Sequence, residues 1–155
     1  MHVRVAEIMT SATVTDSTTG SLTSAADLMW RQQTGSLVIL DGSEIAGIVT
    51  ERDVLRTVAV GKDVNSVVVG DVMTRDVVTT TPDTPVRDAA RIMAQHWIRH
   101  LPVVDDAGTL VGIVSQRDVT GVFAALRRAS RSPEIDTDRL VREQRLARVE
   151  HGDLD

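Results

Sequence analysis

The 155-residue sequence has no cysteine and no tyrosine, one phenylalanine and two tryptophans. The lack of cysteine excludes disulfides, zinc–thiolate sites and a thiol nucleophile, and fits a reducing compartment. Aromatics are 2% of the chain and apolar residues 42%, so a core must be assembled from Val, Ile, Leu, Ala and Met, a composition suited to an α/β protein. No run approaches the roughly 18 consecutive apolar residues of a membrane span, and the N-terminus lacks the basic-then-apolar layout of a secretory leader. A cytoplasmic protein with no membrane association is expected. A net charge of −5 disfavours nucleic acid as a partner, because phosphate neutralisation takes a basic patch. No serine stands in a nucleophile-elbow pattern and no histidine in a motif that would make it a base, so no enzymatic activity is expected.

What the chain has is a long internal repeat. "GIVTERDV" at 47–54 returns as "GIVSQRDV" at 112–119, "AEIMTSATVT" at 6–15 aligns with "GDVMTRDVVT" at 70–79, and "SLTSAADLMW" at 21–30 with "PVRDAARIMA" at 85–94. The offset holds until the second hairpin turn, "DDAGT" against "DGSE", adds one residue. Such a period is too long for a solenoid unit and two copies are too few for one, so the pattern reads as a duplicated half-domain.

Each half predicts the same elements. A short helical turn (Val5–Met9; Gly70–Met73) leads to a strand marked by β-branched residues (Thr13–Thr15; Val77–Thr79). An amphipathic helix follows, carried by Leu22, Ala25, Ala26 and Met29, and by Val86, Ala89, Ala90, Met93 and Trp97. Two strands come next, Leu37–Asp41 with Ile45–Val49 and Leu101–Asp105 with Leu110–Val114, whose nearly unbroken apolar runs imply burial on both faces. A second helix runs from the repeated motif to about Gly61 and about Arg128. The fold class is therefore α/β (α+β), two β-α-β-β-α repeats at 3–62 and 67–128, with a linker and C-terminal tail, part helical, at 129–155.

The repeated junction has two explanations. Thr50 with Asp53, and Ser115 with Asp118, match the capping box [ST]-x-x-[DE], in which a hydroxyl and a carboxylate satisfy orphan N–H groups at a helix start. That accounts for neither Arg52 and Arg117 nor Gly47 and Gly112, which recur in register. The same geometry is also a nucleotide site: a helix N-terminus and an arginine favour phosphate, and an aspartate one turn in accepts ribose hydroxyls.

Through "IMT…VT", "AARIMAQHWIRHLPVVD" and "GTLVGIVSQRDV", each echoed in the first half, the chain resembles a tandem pair of cystathionine-β-synthase (CBS) domains, a Bateman module, over about residues 3–128. The resemblance implies two repeats packed sheet to sheet with pseudo-twofold symmetry and adenosine-ligand clefts between them. It assigns phosphate and ribose to Thr50 with Asp53 and Ser115 with Asp118. It assigns adenine to backbone groups of Val14, Thr15, Val78 and Thr79. No cofactor is required beyond an adenine nucleotide (AMP, ADP or ATP) as ligand. Arg99 has Gly35 as its counterpart, so the two clefts carry unequal charge, and Arg99 is a candidate for an anionic ligand. The function implied is a regulatory, ligand-sensing module that signals to a separate, unidentified partner protein. The alternative is a non-catalytic oligomerisation or interaction protein with degenerate, empty clefts.

His96 and His100 have the spacing of a metal pair on a helix, but Pro102 ends the helix near Arg99, so the two rings are not expected to share a face. The repeated methionines, Met9, Met29, Met73 and Met93, read as core filler. Leu55 and Val58 on one second helix, and Val122, Phe123 and Leu126 on the other, form apolar stripes beyond what one sheet face needs; a homodimer is expected to cover them.

Overall fold

The computed structural model describes residues 3–11 and 13–129. In chain order the elements are α1 (Val5–Ile8), β1 (Thr15–Ser17), α2 (Leu22–Gln32), β2 (Ser36–Asp41), β3 (Glu44–Thr50), α3 (Glu51–Ala59), a 3-10 turn (Val69–Asp71), α4 (Val86–His96), β4 (His100–Val104), β5 (Leu110–Ser115) and α5 (Gln116–Ala129). The chain has the expected α/β (α+β) class. The expected C-terminal tail lies outside the described residues. Two compact units form. Among the described residues, one holds 13–78 with the turn 106–110, and the other holds 3–11, 79–105 and 111–129.

In the first unit the sheet order is β1-β2-β3. β1 runs parallel to β2, with Thr15 opposite Val38, and β2 pairs antiparallel with β3, with Ser36 opposite Thr50 and Leu37 opposite Val49. α2 starts at Ser21, whose hydroxyl accepts from the Ser24 N–H at 3.1 Å, a cap contact that answers one of the orphan donors. Its buried residues Leu22, Ala25 and Met29 fall at i, i+3 and i+7, which places them on one face. They pack with Leu37, Ile39, Val49, Val69 and Met73 in one core cluster. Leu37, Val38 and Ile39 are all fully buried, so β2 is covered on both faces, as its unbroken apolar run requires.

The second unit repeats this with differences. β4 and β5 pair, and α4 buries Val86, Ala89 and Met93 at the same spacing. The expected strand at Val77–Thr79 does not form; its place is taken by a single parallel bridge between Thr80 and Val103. Pro102 stands where β2 has Val38 and offers no N–H to a neighbouring strand. Trp97, expected on the apolar face of the helix, lies just past its end in the left-handed region (φ 56°) and is 89% exposed. α2 ends in the same conformation at the aligned residue Gln33.

The repeats in sequence and the units in space differ at their leading segments. Residues 67–74 open the second repeat, yet they belong to the first unit: Leu22 donates to the Val67 carbonyl at 2.9 Å, Val69 to Gly20 at 2.8 Å, and Ile48 and Thr74 exchange two bonds of 2.9 Å. Residues 3–10 in turn belong to the second unit. There Val86 donates to the Val3 carbonyl and Val5 to Thr84, both at 2.9 Å, while Thr10 and Ile113 exchange bonds of 2.8 and 3.0 Å. Each repeat's methionine–threonine segment thus pairs with the last strand of the other repeat.

Candidate functional site

Both junctions of the final strand with the helix that follows it form complete capping boxes. At the first, the Thr50 N–H and hydroxyl donate to Asp53 Oδ2 at 2.9 and 3.0 Å, and the Thr50 side chain accepts from the Asp53 N–H. At the second, the Ser115 N–H and hydroxyl donate to Asp118 Oδ2, both at 2.8 Å, and the Asp118 N–H donates back to Ser115 Oγ at 3.3 Å. A further backbone bond is repeated: Glu51 donates to the Gly35 carbonyl at 3.1 Å, and Gln116 to the Arg99 carbonyl at 2.8 Å.

These bonds limit what a helix N-terminus can offer to an anion. Of the first-turn donors on α3, those of Glu51 and Asp53 are engaged, and the Arg52 N–H remains. Two acids, Glu51 and Asp53, stand in the first turn of α3, whereas Asp118 is the acid in the first turn of α5. A phosphate is therefore better accommodated at α5, since negative charge at the helix start opposes the favourable dipole. Asp53 is 7% exposed and its Oδ1 accepts from Arg56 at 2.8 Å. Arg56 also reaches the Val72 carbonyl at 3.4 Å. Gly121 occupies the corresponding place in the second copy, so this cation belongs to the first junction only.

The other candidates from the sequence are placed as follows. Thr15 lies in β1, and the Val14 carbonyl accepts from the Val38 N–H at 3.4 Å while its side chain packs on the core. Val78 and Thr79 are half-buried and lie where the chain passes from one unit to the other, outside any strand. Arg52 and Arg117 are exposed on the first turns of α3 and α5. Arg99, also exposed, is held at the start of α5 by its carbonyl bond, beside Ser115 and Asp118. His96 closes α4 and His100 opens β4, so they share no helix, and among the described residues no cluster with metal-ligand composition occurs.

Gly47 and Gly112 have a structural explanation. A Cβ on Gly47 would lie 2.6 Å from Met73 Sδ and 2.9 Å from the Thr74 carbonyl oxygen; on Gly112 it would lie 2.8 Å from Met9 Sδ and 3.0 Å from the Thr10 oxygen. Glycine is required because the methionine–threonine segment crosses the strand there. Sequence reasoning missed three residues. Arg56 was legible as the i+3 partner of Asp53 on a helix. Thr13 and Ser36 carry buried hydroxyls with no hydrogen-bond partner, a property no sequence pattern announces.

Comparisons with known proteins agree with this architecture. The family model described as CBS domain matches residues 5–60 and 69–125. The CBS domain-containing protein YhcV of Bacillus subtilis is 37% identical over 116 residues, covering 74% of this chain and 81% of that protein. Protein MK0525 of Methanopyrus kandleri is 38% identical over 122 residues; the match covers 77% of this chain but only 62% of that relative's length. The solved CBS domain pair of protein MJ0100, in complex with 5′-methylthioadenosine and S-adenosyl-L-methionine, superposes with a TM-score of 0.75 at 30% identity over 80% of this chain and 98% of that one.

Proposed function

The chain belongs to the CBS domain family, and from that premise we propose that it is a regulatory, non-catalytic module that binds adenosine-type nucleotides (AMP, ADP or ATP) at the Thr50–Asp53 and Ser115–Asp118 junctions. It passes their occupancy to a partner protein, in the cytoplasm, as a homodimer. The observation that carries this reading is the duplicated box. A carboxylate is fixed by two donors from the cap residue three positions earlier, at 2.8–3.0 Å in both copies, which aligns it to accept hydroxyls from a ribose. Arg99 and the single first-turn acid on α5 make the Ser115–Asp118 junction the better phosphate site. The bound adenosine compounds of the MJ0100 pair support the choice of ligand class. The exposed Leu55, Val58 and Phe123 support a homodimer; Val122, assigned to the same stripe from sequence, is buried in its own unit at 3% exposure.

A thermal-shift screen with AMP, ADP, ATP, S-adenosylmethionine and NAD tests the proposal. A ligand at about 100 times its Kd adds about 2.7 kcal/mol to stability. Absence of any shift at low and high salt would remove the nucleotide-sensing reading.

A further inference from the structure

We propose that Met9 is a redox-modification site. Conversion of its thioether to the sulfoxide by hydrogen peroxide opens the bridge between the leading segment and β5, and loosens the Ser115–Asp118 junction while leaving Thr50–Asp53 intact. The modification and its effect on the fold are independent of what the junctions bind. The chain has no cysteine to intercept a peroxide, so its thioethers are the sulfur groups open to oxidation. Met29, Met73 and Met93 are shielded, at 5%, 7% and 3% exposure, whereas Met9 is half-buried. Met73 and Met9 are aligned residues, and each lies across the glycine of the other repeat's last strand, Gly47 and Gly112. Met73, however, is built into a core cluster with Leu22, Leu37 and Val49. One arrangement is thus closed to an oxidant and its copy is reachable.

The setting of Met9 suits a thioether and not a sulfoxide. A Cβ on Gly112 would stand 2.8 Å from Met9 Sδ and 3.3 Å from its Cγ, so the end of the side chain lies against the bare backbone of β5. In the oxidation the sulfur lone pair attacks one peroxide oxygen, and an S–O bond forms as the O–O bond breaks. The departing hydroxide takes the proton of the transferred oxygen and leaves as water; the sulfur gives up two electrons and the peroxide gains them. The apolar end of the side chain becomes polar and chiral. Its new oxygen is an acceptor, and an acceptor held against packed backbone without a donor is costly. The N–H groups at the crossing are committed: that of Met9 to the Val5 carbonyl at 2.8 Å, and those of Thr10 and Ile113 to each other's residue at 2.8 and 3.0 Å. The sulfoxide is relieved by turning to water, which takes the side chain off Gly112 and loosens the Thr10–Ile113 bridge beside it.

Ile113 lies two residues before Ser115 on β5, whose N–H and hydroxyl hold Asp118 at 2.8 Å. Release of the bridge therefore reaches the end of the strand that starts α5. The matching bridge of the other copy, with two bonds of 2.9 Å between Ile48 and Thr74, sits beside shielded Met73 and is unaffected.

The test treats the full chain with hydrogen peroxide and follows it by peptide mapping, thermal denaturation and amide hydrogen exchange. Met9 is expected to gain one oxygen about tenfold faster than Met29, Met73 and Met93, in line with its exposure. Chain oxidised at Met9 should melt about 2–4 °C or more below the untreated protein. Its exchange should be faster in 8–11 and 111–118 and unchanged in 46–50 and 72–75. Methionine sulfoxide reductases should restore both properties. Met9→Leu, which nearly keeps the volume without the sulfur, should resist peroxide although Met1 is still present. Oxidation of Met73 as fast as Met9, an unchanged melting temperature after oxidation at Met9, or faster exchange at both junctions alike would each overturn the proposal. So would a Met9→Leu protein that loses stability in peroxide as its parent does. If that variant fails to fold, the reductase treatment of the native chain decides, and exchange that stays fast once Met9 is reduced refutes a change caused there.

Discussion

Substituting Gly47 by alanine tests whether the glycine of the repeated motif serves the fold. The added Cβ meets Met73 Sδ at 2.6 Å, Met73 Cγ at 2.9 Å and the Thr74 carbonyl oxygen at 2.9 Å. The thioether sits on a flexible side chain and can rotate, although Met73 is 7% exposed and part of the core. The carbonyl cannot withdraw without loosening the two 2.9 Å bonds that Ile48 and Thr74 exchange. Overpacking of this kind costs about 1–3 kcal/mol. Alanine's lower conformational entropy in the unfolded chain offsets about 0.5–1 kcal/mol of that. The net expectation is a loss of about 1–2 kcal/mol, or about 2–4 °C in Tm per kcal/mol for a chain of this size.

Gly112→Ala should be milder, since its nearest contacts, 2.8, 3.0 and 3.3 Å, leave more room. Gly42→Ala is the control, with nothing within 4 Å of the added carbon but a φ of +62°; its cost of about 1–2 kcal/mol comes from the left-handed backbone alone. Truncating Met73 to alanine beside Gly47→Ala should recover part of the loss, giving a coupling energy of at least about 0.5 kcal/mol in a double-mutant cycle. Thermal and urea denaturation followed by circular dichroism measures all of these. A Gly47→Ala protein as stable as the parent, or more stable, would refute the steric account and return the glycine to the ligand.

Two further outcomes are expected. Asp53→Asn and Asp118→Asn each replace an acceptor oxygen by an NH₂ donor, leaving a ribose hydroxyl badly paired at a cost of about 1–3 kcal/mol. Calorimetry should therefore show affinity falling about ten- to a hundredfold, with the larger loss at Asp118 for phosphate-bearing ligands, while unchanged affinity in both would reduce the motif to a helix cap. Light scattering at micromolar concentration should give twice the monomer mass, and Leu55→Lys, at a residue 67% exposed on α3, should lower that mass; a monomeric parent would remove the homodimer.

The parts of the fold that were legible are those set by short-range spacing. Leu22, Ala25 and Met29 announce α2, and the aligned Val86, Ala89 and Met93 announce α4, because a helix brings such positions to one face. The capping boxes were legible for the same reason, with partners three residues apart. Trp97 marks where periodicity misleads: it continues the apolar spacing of α4, but the helix has already ended in a left-handed residue, a choice made by the turn into β4. The missing strand at Val77–Thr79 and the pairing of each leading segment with the other repeat depend on contacts far apart in sequence, which periodicity cannot register.

The candidate site divides along the same line, and its two explanations need not compete. The bonds from Thr50 and Ser115 converge on Oδ2 of their aspartates. A cap therefore fixes the carboxylate through one oxygen and sets the direction of the other. At Asp53 that second oxygen carries Arg56, whose side chain is 64% exposed. The Asp53 side chain is only 10% exposed, so a group that replaced the guanidinium would have to supply hydrogen bonds of its own to the carboxylate, as the hydroxyls of a ribose would in the proposed site. The motif is then spelled twice because one arrangement of atoms starts a helix and also orients an acceptor. What separates the two copies is Glu51 against Gln116 within the motif and, outside it, Arg56 against Gly121, Ser36 against His100 and Gly35 against Arg99. Those are the positions at which exchanging residues between repeats should exchange ligand preference while leaving both caps intact.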